Sequence, residues 1–387
     1  MVKLVENTIS KEEVLALSDW LRSDPWLSKG SLCKKFEEEF CEWLGTDYSI
    51  FVNSGSSANL LAIACLNEIH RSDTKKVVVP ALAWATDLAP VIQLGMEPIL
   101  CDCNLKDLSV DLNHLEEIFK KEAPFAFMLV SVLGLVPDMK EISFLCSKYN
   151  VFLIEDTCES IGSKFNGQKL GTFGAFSTFS FYYSHHASTI EGGMIATNSR
   201  KYANILYSMR SHGWMRDCDA DIARNQKDFY RVSDFDEMFT FYYPGFNLRQ
   251  TEIGAFLALN QIKKLDAVIC KRNRNYELYR TKHLKNCHWR PEDRPENFIS
   301  PLAYPLLVNE RDTLYNMFRI NGIETRPIIA GSLGLQPVYK ARYKEKHLTN
   351  ADIIHKNGLY LPCNSTMPEE DIKDVCRLIT EEFAYSL

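Results

Sequence analysis

The sequence has no surplus of positive charge and no hydrophobic run that would suit a nucleic-acid or membrane partner. Its 44 Lys and Arg residues are outnumbered by 50 Asp and Glu residues, which leaves a formal net charge of -6. Such a chain has little with which to neutralise a phosphate backbone or an anionic lipid surface. No apolar run approaches the roughly 20 residues that span a bilayer, and residues 1–7 carry no signal-peptide core. We therefore expect a cytoplasmic protein with a small substrate, and neither nucleic acid nor membrane as a partner.

The cysteines lack the spacing of a metal site or of a disulfide framework. Twelve are scattered through a long chain without a secretion signal, which favours reduced, buried thiols. The one close pair, Cys101 and Cys103, has no second pair at metal-site spacing. Low-complexity tracts, internal repeats and charge blocks are also missing. The sequence therefore predicts no metal ion, and no tail or linker function.

What the sequence does contain is the pattern of an α/β fold. A chain of 387 residues exceeds what one hydrophobic core usually organises. From Tyr48 to about Thr197, short β-branched and aromatic runs alternate with apolar residues at helical spacing, which predicts a mostly parallel mixed sheet flanked by helices. We assign residues 1–265 to an N-terminal segment and the large domain, and residues 266–387 to a small C-terminal α/β domain. Between them, polar residues 216–236 could form a mobile loop or lid, and residues 251–269 predict a long helix.

Two acids stand at the end of a predicted strand. The apolar residues 152–154 are followed by Glu155 and Asp156, at the sheet edge where ligands of such folds bind. A buried carboxylate is costly without a cationic partner. A protonated pyridine nitrogen is one candidate partner, and an arginine or a helix N-terminus is the structural alternative.

Further candidates fall at the same edge. Gly55, Ser56 and Ser57 follow the strand at 48–52 and open a helix, where free N–H groups and hydroxyls could bind a phosphate or cap the helix. Ser180 ends another strand and is either a second phosphate ligand or a solvated strand terminus. Trp84 follows the strand at 77–79, and its indole could lie over a flat ring or pack in the core.

The order of these signals is more specific than any one of them. In sequence they are Gly55-Ser56-Ser57, Trp84, Glu155-Asp156, Ser180-Phe181, a basic residue, and Glu191-Gly192-Gly193. With this set the chain resembles the DegT/DnrJ/EryC1 family of pyridoxal-phosphate-dependent sugar aminotransferases, over nearly its whole length. The resemblance implies an aspartate aminotransferase type I fold and a homodimer with active sites at the interface.

The resemblance also implies roles for individual residues. Ser56, Ser57 and Ser180, with Gly55 beside them, would bind the phosphate of the cofactor. Trp84 would stack on the pyridine ring, and Asp156 would pair with the ring nitrogen. Asn247 would reach the phosphate of the cofactor bound by the neighbouring subunit.

Two positions depart from the aminotransferases. Six residues before Glu191, where the family has the lysine that holds the cofactor covalently, this chain has His185. Imidazole cannot form a Schiff base, so pyridoxamine 5'-phosphate becomes the natural resting form, and a histidine titrating near neutrality can still move protons. Glu159 stands where the aminotransferases usually have glutamine. Both departures resemble a narrower branch, the GDP-4-keto-6-deoxy-D-mannose 3-dehydratases of colitose biosynthesis, which supply a dideoxysugar of lipopolysaccharide O-antigen.

This branch implies a reaction. The nucleotide-diphosphate sugar would lose its C3 hydroxyl. His185 and Glu159 would be the catalytic residues, and His185 would move the proton. Ammonia would be released, and L-glutamate would convert pyridoxal 5'-phosphate back to the amine form. Trp26, Arg249 and Arg326 are the candidates for substrate binding. The two arginines are chosen because a guanidinium matches a diphosphate or a carboxylate well. Surface salt bridges explain the two arginines nearly as well, and His186 is better explained by orienting or packing beside its neighbour.

Three alternatives remain at this point. A CDP-sugar 3-dehydrase with an iron–sulfur cluster also replaces the lysine by histidine, but it needs four clustered cysteines. After His185 the cysteines are widely separated, so we expect no iron–sulfur cluster; they are Cys218, Cys270, Cys287, Cys363 and Cys376. The chain could also be a silent homologue that lacks turnover, although retention of the cofactor contacts argues against decay. Another nucleotide sugar, such as a 4-keto-6-deoxyheptose, would present the same reacting atoms.

Overall fold

A computed structural model describes residues 1–70, 74–283, 289–292 and 294–382. Its helices are α1 (Lys11–Leu21), α2 (Ser31–Leu44), α3 (Gly55–His70), α4 (Ala85–Gln93), α5 (Leu112–Glu122), α6 (Met139–Tyr149), α7 (Arg200–Arg210), α8 (Ala220–Tyr230), α9 (Glu252–Glu277), α10 (Arg311–Ile320), α11 (Pro337–Tyr343), α12 (Thr349–Asn357) and α13 (Glu369–Glu382). Its strands are β1 (Tyr48–Val52), β2 (Lys76–Pro80), β3 (Glu97–Cys101), β4 (Ala126–Val130), β5 (Phe152–Asp156), β6 (Lys164–Phe165), β7 (Gln168–Lys169), β8 (Phe176–Ser180), β9 (Gly193–Thr197), β10 (Tyr304–Leu307) and β11 (Gly358–Leu361).

A seven-stranded sheet organises the first half of the chain, in the order β1-β9-β8-β5-β4-β2-β3. Strand β9 is antiparallel to both of its neighbours, and the other adjacent pairs are parallel. Because helices cover both faces, central strands such as β4 are buried along their whole length. The predicted mostly parallel mixed sheet is therefore confirmed. The carboxyl ends of β1, β2, β5 and β8 meet at one edge, which brings the candidate residues of four separate segments together.

Two predicted elements beyond the sheet differ from what was expected. Residues 216–236 were predicted to be a loop or lid, but their central part forms helix α8. The long predicted helix does not stop near residue 269 but continues to Glu277. Polar side chains hold this extension, since Arg272 donates to the carbonyl of Leu302 at 2.9 Å and Asn275 donates to that of Asn364 at 2.8 Å. The spacing of hydrophobic residues carries no information about such buried polar contacts, so it could not predict where the helix ends.

The C-terminal part of the chain forms the two-stranded β10–β11 sheet with helices around it. The first residues of the chain contact this part: Val2 bridges Ile323, and Asn364 donates to the carbonyl of Lys3 at 2.9 Å. Helix α9 runs without interruption through residue 265, so the division of the chain at that residue stays a proposal. Among the described helices, none has the length and apolar character needed to cross a bilayer.

Candidate active site

The loop that enters α3 and the end of β8 form one pocket wall. Ser54 caps α3, since its Oγ accepts a hydrogen bond from the backbone N–H of Ser57 at 3.1 Å. The cap is thus Ser54 and not Ser56 or Ser57, and the Ser56 hydroxyl forms no hydrogen bond within the described residues. A Cβ built on Gly55 would lie 2.8 Å from Cβ of Ser180 and 3.3 Å from its Oγ. Gly55, Ser56, Ser57 and Ser180 therefore surround one helix N-terminus, which favours an anion.

The glycines at the start of β9 allow this loop to lie against the sheet. A Cβ on Gly193 would lie 2.3 Å from the carbonyl group of Ser54 and 2.6 Å from the nitrogen of Gly55. A Cβ on Gly192 would lie 2.1 Å from Oγ1 of Thr189. A side chain at Gly193 would have to move backbone, and one at Gly192 would have to displace the Thr189 side chain. The glycine at position 193 therefore sets how closely the anion-binding loop approaches β9.

Replacing Gly193 by Ala should therefore disturb the anion-binding loop. We expect the free energy of unfolding to fall by about 1–3 kcal/mol, as for other overpacked sites, and the affinity for pyridoxal phosphate to fall with it. Chemical unfolding and a cofactor titration measure the two effects. Gly167→Ala is the control, because no atom of the described residues lies within 4 Å of its Cβ and only the strain of its φ of +82° remains. Equal cofactor affinity in both variants would show that the Gly193 contact does not shape the loop.

Asp156 is the acid that faces the site, whereas Glu155 is used by the fold. Three backbone N–H groups, of Gly171, Phe173 and Gly174, donate to the buried Glu155 carboxylate at 2.7 Å each. Asp156 accepts from Nδ2 of Asn59 at 2.7 Å and from the N–H of Cys158 at 2.9 Å. The two most buried ion pairs of the described chain, Arg210–Glu37 and Arg272–Glu6, do not include it.

A second layer of residues that the sequence did not single out holds Asp156. Oγ1 of Thr178 donates to Oδ1 of Asn59 at 2.6 Å, which fixes the amide that bonds Asp156. Asp87, in the first turn of α4, lies on the other side of the same amide, with its Oδ1 3.2 Å from Nδ2 of Asn59. Burial, followed by the charge of Asp156, raises the pKa of Asp87 well above its usual range.

Trp84 immediately precedes α4 and is anchored by its backbone, whose N–H donates to Oδ2 of Asp87 at 2.9 Å. Its side chain is 55% exposed, so the core-packing alternative does not describe it. An indole held this way beside the strand ends is free to stack on a flat ring.

His185 lies in the loop after β8, where its N–H donates to the carbonyl of Tyr182 at 3.0 Å. Its Nδ1 is buried and has no hydrogen-bond partner among the described residues. The pKa of His185 is lowered to about 4, mainly by burial and also by the charge of Arg272, while the charge of Asp156 acts in the opposite direction. Titration near neutrality was thus the wrong expectation for the protein alone: the imidazole is neutral, with a ring nitrogen free to act, throughout the physiological pH range.

His186 is buried more deeply than its neighbour. It is 1% exposed, and its Nε2 is 3.1 Å from Oγ of Ser300. Burial lowers the pKa of His186 well below its usual range. These contacts are those of a packed core side chain.

Glu159 lies between the sheet edge and the C-terminal part of the chain. Its Oε2 accepts from the N–H of Leu133 at 2.8 Å. Burial raises the pKa of Glu159 to about 7, and the charge of Asp156 adds to the effect. Tyr360 in β11 lies close enough to Glu159 to be affected by its charge. Burial and the charge of Glu159 raise the pKa of Tyr360 to about 12, while Arg326 acts to lower this pKa. The backbone N–H of Tyr360 also donates to the carbonyl of Arg326 at 2.9 Å, so Arg326 lies at the site's border.

The remaining candidates lie farther out. Arg249 bridges Val52 at the end of β1, and its guanidinium is 5.7 Å from the ring centre of Trp214. Asn247 pairs with Ser211 and is exposed. Trp26 is 71% exposed, beside Gly30. Within the described residues, no hydrogen bond or ring contact joins Trp26 or Asn247 to Asp156 or His185.

Together these groups fit a phosphorylated pyridine. The helix N-terminus offers N–H groups and hydroxyls to a phosphate, and Trp84 offers an aromatic plane. Asp156 offers a buried carboxylate that forms no ion pair with a Lys or Arg of the described residues. A metal fits less well: among residues 1–70, 74–283, 289–292 and 294–382, no three His, Cys, Asp or Glu side chains cluster in a way that could hold one. Cys287, one of the cysteines weighed for a cluster, lies outside those residues.

Comparison with known proteins points the same way. Residues 7–380 match the model of the DegT/DnrJ/EryC1/StrS aminotransferase family. The chain is 31% identical to the GDP-4-keto-6-deoxy-D-mannose 3-dehydratase of Yersinia pseudotuberculosis, over 97% of each chain. It is 29% identical to the dTDP-4-dehydro-2,6-dideoxy-D-glucose 3-dehydratase of Saccharopolyspora spinosa, over 93% of this chain and 82% of that one.

Among solved structures, the E. coli GDP-4-keto-6-deoxy-D-mannose-3-dehydratase with bound hydrated PLP is similar throughout. The TM-score is 0.89 at 29% identity, covering 98% of this chain and 99% of that one. This likeness confirms the predicted fold class of a large, mostly parallel mixed sheet with a smaller C-terminal α/β part.

Proposed function

The chain belongs to the DegT/DnrJ/EryC1/StrS aminotransferase family, and on that premise we propose that it is a pyridoxamine-phosphate-dependent nucleotide-sugar 3-dehydratase. The substrate we propose is GDP-4-keto-6-deoxy-D-mannose, with L-glutamate regenerating the amine cofactor. One observation carries the proposal: His185, at the position where the resemblance places the family's lysine, is neutral and has a buried ring nitrogen without a hydrogen-bond partner among the described residues. A side chain of this kind can move a proton at the cofactor but cannot hold it covalently.

Residues of the chain would hold pyridoxal 5'-phosphate or pyridoxamine 5'-phosphate without a covalent bond. Gly55, Ser56, Ser57 and Ser180 would bind the phosphate at the N-terminus of α3. Trp84 would cover the ring, and Asp156 would face the ring nitrogen. When bound, the cofactor supplies an amine that condenses with the sugar's ketone and a ring that accepts electrons while the C3 hydroxyl departs.

His185 and Glu159 divide the proton chemistry. His185 is uncharged above its pKa of about 4, so its ring nitrogen can accept a proton from the cofactor's benzylic carbon at neutral pH. Glu159 has a pKa of about 7 and is therefore partly protonated at that pH. A protonated carboxyl group can donate a hydrogen bond as the amide of glutamine does. Glu159 can thus donate a hydrogen bond when protonated and can still ionise, which a glutamine cannot.

The pH dependence of kcat tests the role of Glu159. If the donor form is needed, activity falls as pH rises through about 7, because the Glu159 carboxyl group loses its proton there. Glu159→Gln keeps a donor that does not ionise, so this alkaline limb should disappear in the variant. A kcat profile measured from pH 5 to 9 for both proteins would show it. An unchanged alkaline limb in the variant would assign that limb to another group.

Substrate contacts are proposed on the C-terminal side of the site. Arg326 lies next to Tyr360, whose side chain also feels the charge of Glu159. A guanidinium there can bind the carboxylate of glutamate or the diphosphate of the sugar. Arg249 is the second candidate for these anions, and Trp26 is a candidate for the nucleotide sugar. All three assignments rest on position and chemistry.

We also propose a homodimer with its active sites at the interface. Asn247 is exposed and pairs with Ser211, so a neighbouring subunit could reach it. The segment around it exposes an unusual amount of apolar surface: Phe229, Tyr230, Phe235, Phe239 and Phe241 are each more than half exposed. Light scattering of the purified protein would determine its molar mass, and a monomer at micromolar concentration would contradict the proposal.

A single experiment tests the function. Absorption spectra of the protein with pyridoxal phosphate are recorded before and after L-glutamate, then GDP-4-keto-6-deoxy-D-mannose is added and ammonia is assayed. A glutamate-driven change to the amine form, followed by ammonia and a 3-deoxy sugar, is the expected result. A spectral change without ammonia from any keto sugar would favour a homologue without turnover. Ammonia only with dTDP- or heptose-linked substrates would keep the reaction and change the substrate.

A further inference from the structure

Asp87 is a fully buried carboxyl group to which the proposed reaction gives no role. Its Oδ2 accepts from the N–H of Trp84 at 2.9 Å, and its Oδ1 accepts from Nδ2 of Asn59 at 3.2 Å. The same Asn59 nitrogen donates to Oδ2 of Asp156 at 2.7 Å. One neutral amide therefore joins two buried carboxyl groups.

Two buried carboxylates cannot both remain charged around a neutral amide unless a cation or a proton lies between them. The charged and titratable groups that face them are Glu159 and Cys158 on the loop after β5 and His185 on the loop after β8. None of these is a cation at neutral pH, since the histidine is neutral and the other two are acids. No Lys or Arg of the described chain forms an ion pair with either aspartate.

We propose that Asp87 and Asp156 share one proton, held between them beside Asn59, so that the pair carries a single negative charge. Asp87 then acts through Asp156 and is a positioning residue: its O–H orients the Asp156 carboxylate. The single negative charge of the pair would also balance the single positive charge of a protonated pyridine ring, a consequence that rests on the proposed function. The shared proton itself does not depend on any cofactor.

The apo-protein tests the shared proton without any activity assay. Asp87→Asn has the shape and hydrogen-bonding groups of the protonated acid but cannot ionise. Above the usual pKa of an aspartate, native wild-type protein would bind one proton more than its unfolded chain, so its stability falls as pH rises relative to the variant. The ratio of the wild-type to the variant unfolding constant should therefore rise by about tenfold per pH unit between pH 5 and 7. An infrared difference spectrum of the two apo-proteins should contain the band of a protonated carboxyl group. A ratio independent of pH, without that band, would overturn the proposal.

Binding of the cofactor provides a second and independent test of the role of Asp87. Asp87→Asn preserves a donor to Asp156, so the absorption spectrum and affinity of bound pyridoxal phosphate should match wild type. Asp87→Ala removes the donor, so it should shift the spectrum of the bound cofactor and lower its affinity. If Asp87 served stability alone, the Asn and Ala variants would not differ in the spectrum of the bound cofactor. If the apo-protein shows the shared proton but neither variant changes the bound cofactor, the shared proton stands. The assignment of Asp156 to the ring nitrogen would then fail instead.

Discussion

His185→Asn should lower kcat for sugar dehydration by about 10²- to 10⁴-fold, the usual contribution of a positioned general base. The side chain keeps its approximate size but loses the basic ring nitrogen. Because phosphate and ring contacts come from other residues, the affinity for pyridoxamine phosphate should change little. Single-turnover loss of the amine form on addition of the keto sugar measures the proton-transfer step apart from cofactor binding.

His185→Lys gives the complementary outcome. An amine at this position can capture pyridoxal phosphate covalently, so the cofactor should stay with the protein after denaturation in the presence of a reducing agent, and dehydration should be suppressed. His347→Asn, an exposed residue paired with Asp352, is the control that should leave both properties unchanged. Full dehydratase activity in the lysine variant would remove His185 from the mechanism.

The sheet and its functional edge could be predicted because their signals are local. Short β-branched runs mark the strands, and the residues that follow β1, β2, β5 and β8 necessarily meet at one edge. The sequence alone could thus place Trp84, Asp156 and Ser180 at that edge. Their order along the chain, rather than any single residue, carried the resemblance.

The supporting residues could not be predicted because each has an ordinary explanation in the sequence. Asp87 stands in the first turn of a helix, where an acid is common, and only the fold reveals that it shares Asn59 with Asp156. Ser54, which caps α3, competes with Ser56 and Ser57 for the same role. Tyr360 reaches Glu159 from the far end of the chain, a contact that no spacing encodes.

The pKa values of the site residues also could not be predicted from the sequence. His185 could be recognised as a base by its position, but its pKa depends on burial and on Arg272, which approaches from α9. That helix was expected to end before Arg272, and a buried arginine is invisible to a hydrophobic pattern. The protonation state of the site is therefore a property of tertiary packing, and it had to come from the structure.

Asp156→Asn should lower kcat by about 10²- to 10³-fold, the loss typical when one group that stabilises developing charge is removed. The asparagine can keep the hydrogen bond to the N–H of Cys158, but it carries no charge to hold a proton on the pyridine nitrogen. The bound cofactor should therefore show the spectrum of an unprotonated ring at neutral pH. Spectra of the variant with pyridoxal phosphate, recorded from pH 5 to 9, measure the ring's pKa directly.

Asp111→Asn is the matched control, because Asp111 caps α5 by accepting from the N–H groups of Asn113 and His114, and asparagine caps helices equally well. It should leave both the spectrum and kcat unchanged. If Asp156→Asn changes neither, the ring nitrogen has another partner. If it lowers kcat without changing the ring's pKa, Asp156 acts on a different atom of the site. Only a joint loss of ring protonation and of kcat supports a carboxylate that makes the ring an electron acceptor.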